Sequence, residues 1–324
     1  MTENIILDRP AAVDPEPPEQ AAPPARGRLG PPVWLRELVR RPTGVFGLIT
    51  IGTILVAALI SAFWTPHDPF HADPYRRLRP PGWEFLLGTD ALGRDVLSRL
   101  MAGSATALYV AVGSLLVAGL VGLVLAVLSS LTSVWLRESV VVVVDVLIAF
   151  PTLLIAMLLA AAYGGSLLVV VLSVGIASGV GISRIIKNEI VRVNSTDYVL
   201  AARAAGVGPV RIVVDHLVPN VGALFIVLLS ATAAFSILAE AGLSYLGYGA
   251  PSDVVSWGRM LTEAQRQITT SPEAVIAPGI AISLAVLGLT LFGDALREAT
   301  DPRLKRGRTR AGHRTPGREA SRGA

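Results

Sequence analysis

Long apolar runs alternate with short polar connections from about residue 44 to residue 293. A helix rises about 1.5 Å per residue, so about 20 mainly apolar residues match the thickness of a hydrocarbon core. Six windows meet that requirement, at about 44–64, 104–129, 140–162, 165–186, 221–246 and 273–293. A soluble fold would have to bury each of these runs on every side. The pattern therefore predicts an all-α integral membrane protein, with six transmembrane helices in one domain spanning 36–302.

One polar interruption is more than a connector. Residues 195–220 hold two short helical patterns separated by Gly-Val-Gly-Pro. Ser195 or Thr196 can cap the first, and Asp197 sits near its positive end. Tyr198 to Ala205 has no helix breaker and four alanines, which favours helix. Gly206 is placed to end it in left-handed geometry. Gly208 and Pro209 turn the chain into a second helix, expected to run to about His216 and to stop before Pro219, with Asn220 capping the next span. The surface of Ala201, Ala202 and Ala205 is small and smooth, which suits close approach by another protein.

Composition agrees with a membrane protein: 52% of residues are hydrophobic and 16% charged. The net charge of +4 is mainly a matter of topology. Arg36, Arg40, Arg41, Arg137, Arg184, Lys187, Arg192, Arg203, Arg211 and the tail from Arg297 fall on one side. Arg76, Arg77, Arg79, Arg94, Arg99, Arg259 and Arg266 fall on the other. The bias favours both termini inside. Residues 1–35, rich in Pro and Ala, read as a disordered cytoplasmic arm with no signal peptide. The basic tail, 303–324, reads as a solvated end able to touch anionic membrane lipid. It carries no aromatic residues among its arginines, so nucleic acid is not an expected partner.

Candidate chemistry is sparse. With no Cys there is neither a disulfide nor a cysteine metal site. His67 and His71 are four apart but lie in a Pro-containing loop, so no metal is expected there. The phosphate-binding pattern Gly-x4-Gly-Lys-Ser/Thr is absent, as are nucleophile and zinc-helix motifs. No catalytic residue and no bound cofactor are expected. Asp145 and Glu240 are ionisable groups inside predicted spans, and so are functional candidates by default. For Asp145 the favoured reading is pairing with a neighbouring helix, whereas for Glu240 the structural and functional readings stand level. Between the first two spans, Gly88 and Gly93 permit turns, and Asp90, Arg94 and Asp95, beside Thr89, can form a loop-fixing charge cluster.

Two sets of motifs carry a family resemblance. Ala201-Ala202-x3-Gly206 followed by His216-x2-Pro219-Asn220 resembles the cytoplasmic EAA loop of ABC importer permeases. Leu200 stands where that family has Glu. The string Leu-Gly-Thr-Asp-Ala-Leu-Gly-Arg-Asp-Val-Leu-Ser-Arg-Leu-Met-Ala-Gly at 87–103 is similar to the entry segment, between the first two spans, of C-type permeases of dipeptide, oligopeptide and nickel importers. So are Val-Asp-Val-Leu-Ile-Ala-Phe-Pro at 144–151, Leu-Ala-Glu-Ala-Gly-Leu-Ser-Tyr-Leu-Gly-Tyr-Gly at 238–249 and the stretch 293–305. The resemblance covers about 40–305 in the family's order. It departs at 129–137, where members often carry a Gly-Tyr-rich turn.

The resemblance implies a type I ABC importer (MetI-like) permease fold in the bacterial inner membrane. It also implies a second homologous permease, two ATPase subunits that bind ATP and Mg, and an extracytoplasmic binding protein. Asp197, Leu200, Ala201, Ala202, Arg203, Ala205, Gly206, Arg211 and His216 would couple to the ATPase. Short peptides are the expected cargo, with nickel complexes as the alternative. From another class, an ion-coupled secondary transporter predicts midplane ionisable groups and broken helices.

Overall fold

The computed structural model describes residues 38–131 and 134–300. The expected arm at 1–35 and the basic tail at 303–324 lie outside the described residues. Among the described residues the structure is helical, apart from one antiparallel bridge between Thr89 and Asp95. In chain order the long helices are α1 (Pro42–Ser61), α2 (Val96–Leu131), α3 (Val134–Ile148), α4 (Thr152–Tyr163) and α5 (Leu167–Asn194). Two short helices follow, α6 (Asp197–Ala204) and α7 (Pro209–Ile212), then α8 (Val218–Tyr245), α9 (Trp257–Ala264) and α10 (Glu273–Thr300).

Five helices, α1, α2, α5, α8 and α10, are each long and apolar enough to cross a bilayer. The third expected span is not one helix. Its two pieces, Arg137–Ile148 within α3 and Thr152–Tyr163, are bent by 83° at a break. Pro151 explains the break, because proline disfavours helix in the residue before it and supplies no amide to the ladder. The pair still crosses. α3 packs beside the C-terminal half of α5 around Ser183 and Arg184. The turn after α4 lies at the opposite end of α5, where Gly165 abuts the backbone of Tyr248 and Gly249. With the pair counted as one span, the described residues make the six crossings expected.

Two spans run past the windows that hydropathy marks. α2 begins at Val96 rather than near 104, and α5 continues to Asn194 rather than ending near 186. Ser98 and Arg99 in the first case, and Lys187 to Arg192 in the second, are too polar for a lipid window yet compatible with helix outside it.

The bundle is held by close helix packing. A Cβ added at Gly175 or Gly179 of α5 would meet Val117 or Val121 of α2 within 3 Å. This four-residue spacing of small residues lets two helix backbones approach, which matters where apolar burial gives little drive for association in lipid. α1 and α10 meet similarly, with Gly47 against the Gly288 carbonyl. The start of α1 and the end of α10 lie at the same end of the bundle. Leu38 is buried with Ala295 and Leu296, and Arg41 pairs with Glu298. The long connections 62–95 and 246–272 share the other end.

Candidate functional site

The 195–220 loop stands on the end that carries the start of α1 and the end of α10. α6 follows α5 after a turn at Ser195 and Thr196. Thr196 takes the capping position, but its hydroxyl bonds back to the Val193 carbonyl (2.6 Å) and caps no amide. The helix ends as the glycine predicted. Gly206 has φ +78°, its amide donates to Arg203 and that of Val207 donates to Ala202, both at 3.0 Å. This pair of bonds satisfies the last carbonyls of the helix.

Beyond the turn the chain departs from its expected course. The second helix is not stopped by Pro219. α7 passes through a wider π-helical turn, Val213–Leu217, directly into α8, with Pro219 in the first turn of α8. The Val218 amide reaches back five residues to Val213. Proline supplies no amide to the helical ladder at this point, and a wider turn is one way a helix carries such a gap. Asn220 consequently lies inside the helix rather than capping it, and its amide reaches the Tyr198 hydroxyl at 3.4 Å.

Val199 anchors α6. It is fully buried with Val193, Ile212 and Leu217. The opposite face is open: Asp197, Tyr198, Leu200, Ala201, Arg203, Ala205 and Gly206 are exposed, and Ala202 is half-buried. Arg203 bonds to Asn194 (2.9 Å) and Arg211 to Asp215 (3.2 Å). For His216 the structure describes the backbone, in the π-helical turn. The result is a short, rigidly seated helix presenting a mostly small and apolar surface.

At the other end the expected cluster of Asp90, Arg94 and Asp95 divides in two. Asp90 takes Arg94 and the buried Arg99, each at 2.7 Å. Asp95 faces away and caps α2, accepting the Ser98 amide at 3.1 Å and lying 3.4 Å from His67 Nδ1. His67 also stacks on Phe85, with ring centroids 4.7 Å apart. Among the described residues, no three His, Asp or Glu side chains are placed to share a metal ion. Gly88 and Gly93 hold φ of +75° and +79°, and a Cβ on Gly93 would fall 1.9 Å from the Asp73 carbonyl. Thr89 ties the loop by accepting the Arg79 amide at 2.8 Å.

Nothing in the neighbouring residues hints at what completes this cluster. Glu263 of α9 accepts from Arg94, from Arg99 (2.8 Å) and from Arg259 (3.1 Å). Burial pushes the Glu263 carboxyl up, but the charges of Arg99 and Arg94 and the hydrogen bonds from Arg99 and Arg259 outweigh it. The group titrates below its ordinary value. Trp257 seats the same helix, its indole donating to the Leu100 carbonyl at 3.0 Å.

The two intramembrane carboxylates differ. Glu240 is buried near the end of α8, where it accepts from Ser244 (2.6 Å) and is hydrogen-bonded to Ser256, the cap of α9. Its surroundings are those of a structural tie. Asp145 is half-exposed on α3 and lies 3.4 Å from Arg184 of α5. Its partner on the neighbouring helix is an arginine that the sequence marked only as one of the basic residues on the inside. The pair borders a cavity of about 200 Å³ with Ser129, Ser183, Lys187 and Asn188.

Comparison with known proteins places this architecture. Residues 118–306 match the family described as binding-protein-dependent transport system inner membrane component. Residues 33–81 match the N-terminal TM domain of oligopeptide transport permease C. A Brucella suis protein named for a peptide transport system permease is 34% identical over 273 residues, 83% of this chain and 91% of that protein. The dipeptide transport system permease protein DppC of Alkalihalophilus pseudofirmus is 30% identical over 272 residues, 83% and 89% of the two chains. The nickel transport system permease protein NikC of Escherichia coli is 33% identical over 257 residues, 79% and 93% of the two chains. Spans, motifs and matches agree along most of the chain, which belongs to the family of inner membrane components of binding-protein-dependent transport systems.

Proposed function

We propose that the protein is one of two homologous permease subunits of an ATP-driven importer that moves short peptides into the cell. The observation that carries the reading is α6, a helix anchored by Val199 whose exposed Leu200, Ala201 and Ala205 offer a smooth surface. A rigid helix on a rigid stem transmits displacement to the spans, which is what coupling to a separate ATPase demands. In this reading the α6 end is cytoplasmic, and both termini are inside. The chain binds no nucleotide, and ATP with Mg belongs to two partner ATPase subunits. An extracytoplasmic binding protein delivers cargo to the end that holds Arg94, Arg99 and Glu263. ATP closes the ATPase pair, α6 moves with it, and the spans tilt to open the path outward. Hydrolysis and ADP release return them.

Peptides are favoured because relatives are named for peptide and dipeptide transport. The name of the nickel relative supports a second reading, a nickel complex moved by the same machinery. A broken span beside an ion pair is also what an ion-coupled carrier would have. Membership in a binding-protein-dependent family argues against that class. The test is uptake by the full assembly in vesicles. Peptide-loaded binding protein should stimulate ATP hydrolysis and drive labelled di- or oligopeptide inward. Accumulation of nickel chelate in place of peptide overturns the cargo. Uptake driven by an ion gradient without ATP overturns the importer.

A further inference from the structure

We infer that α3 and the C-terminal part of α5 form a site for the phosphate of a membrane phospholipid, with one acyl chain lying along α5. The transport reading does not require such a site, and the site does not depend on which cargo is moved. Three observations carry it.

The first is charge. The cavity of about 200 Å³ beside Asp145 has two cations, Arg184 and Lys187, for its one carboxylate. Asp145 takes one guanidinium nitrogen of Arg184 at 3.4 Å. Among the described residues no carboxylate pairs with Lys187. Asn188 adds a side-chain amide at the rim, and the buried Ser129 and Ser183 close the floor. A phosphate takes N–H donors from several side chains at once, and a basic pocket between spans is a place where lipid headgroups bind.

The second is depth. α5 begins at Leu167, next to the turn where Gly165 abuts Tyr248 and Gly249. Lys187 lies 20 residues further along. At about 1.5 Å per residue that is roughly 30 Å, the thickness of a hydrocarbon core. Lys187 thus reaches the headgroup level at the α6 end of the bundle, and Arg184, one turn deeper, reaches it by extending its side chain outward.

The third is room for a chain. Ala177, Gly181, Arg184 and Asn188 recur every three or four residues and so share one face of α5. A Cβ added at Gly181 would meet nothing within 4 Å, whereas one at Gly175 or Gly179 would meet α2. The small residues Gly181 and Ala177 therefore leave a smooth strip that runs from Arg184 about 10 Å toward the middle of the core. A water-soluble phosphate has no use for that strip, and an acyl chain fills it.

The test is photolabelling of the protein purified with its native partners in mild detergent. Phosphatidylglycerol carrying a diazirine in one acyl chain is added, irradiated, and mapped by mass on the digested chain. Label is expected on α5 between Ala177 and Arg184. Lys187→Gln should cut that label about tenfold, the scale of one charge-assisted hydrogen bond. Gly181→Leu should cut it by about the same factor by filling the strip. Both variants are expected to melt with the wild type in lipid-free detergent. Unchanged label in Lys187→Gln overturns the site and leaves only lipid surrounding the protein. Equal labelling by a diacylglycerol with the same diazirine shows a groove that ignores phosphate. Competition by millimolar glycerol phosphate shows a site for free phosphate, and absence of label from α5 shows a partner's span over Gly181. Each of these three results also overturns the inference.

Discussion

Arg94 donates to Glu263 at 2.5 Å across 169 residues of sequence, joining the loop before the second span to the helix before the last. Arg99 closes the same network from within α2, with only 3% of its side chain exposed. Two connections that would otherwise move independently are thereby held as one surface at the end opposite α6. Removing Glu263 leaves Arg94 and the buried Arg99 to share the single carboxylate of Asp90, an imbalance more costly than the lost pairs are worth.

Glu263→Gln should therefore lower the stability of the purified protein by about 2 kcal/mol, a figure tempered by the carboxylate's partial exposure. Glu84→Gln, at an exposed pair, should change it by less than about 0.5 kcal/mol. Thermal unfolding in detergent, followed by tryptophan fluorescence, measures both. Equal effects would show that the buried network is not a special tether.

The same network fixes a pH dependence. Glu263 titrates below its ordinary 4.5 because Arg99 and Arg94 outweigh the burial that pushes it up. Its contribution is fully present above the unfolded value and is lost as pH falls through the depressed folded value. Melting temperature in wild type should be level at neutral pH and drop in the acid range, and the Glu263→Gln variant should lose part of that drop. A drop of the same size in the variant would assign it to other carboxylates.

Gly179→Leu should disrupt the α2–α5 contact, because even a Cβ there falls 2.8 Å from Val121. Overpacking of this kind costs about 1–3 kcal/mol or forces the helices apart. Gly181→Leu, where a Cβ meets nothing within 4 Å, is the control. Yield of folded protein and melting temperature should fall only for the first.

At the α6 surface, Ala201→Asp should leave the protein inserted while abolishing stimulation of ATP hydrolysis by loaded binding protein, since a desolvated charge is placed in a close contact. Gly206→Val should act similarly by straining a position at φ +78°. Leu200→Glu, which restores the family pattern, should cost little. Normal uptake in both Ala201→Asp and Gly206→Val would remove α6 from the coupling interface.

Reporter fusions after Pro80 and Trp257 should be external, and fusions after Asn220 cytoplasmic. An external signal at Asn220 would place α6 in the wrong compartment for any ATPase.

Local chemistry made much of this molecule legible in its sequence. Twenty-residue apolar windows located the spans, because a lipid core imposes a length on any helix that crosses it. Gly206, Gly88 and Gly93 announced their turns because left-handed backbone is costly for any residue with a Cβ. Features set by distant neighbours were not legible. Pro151 stood inside the third apolar window, which read as one span, and the 83° bend and the side left exposed depend on how α3 and α4 lean on α5. Pro219 read as a stop, yet a π-helical turn accommodates it and carries α7 into α8. Asp95 sat beside Asp90 and Arg94 in sequence but turns to cap α2, while Glu263 completes the cluster from the far end of the chain. Charges pair by distance in space, and only packing of the spans decides which residues come within a few ångströms.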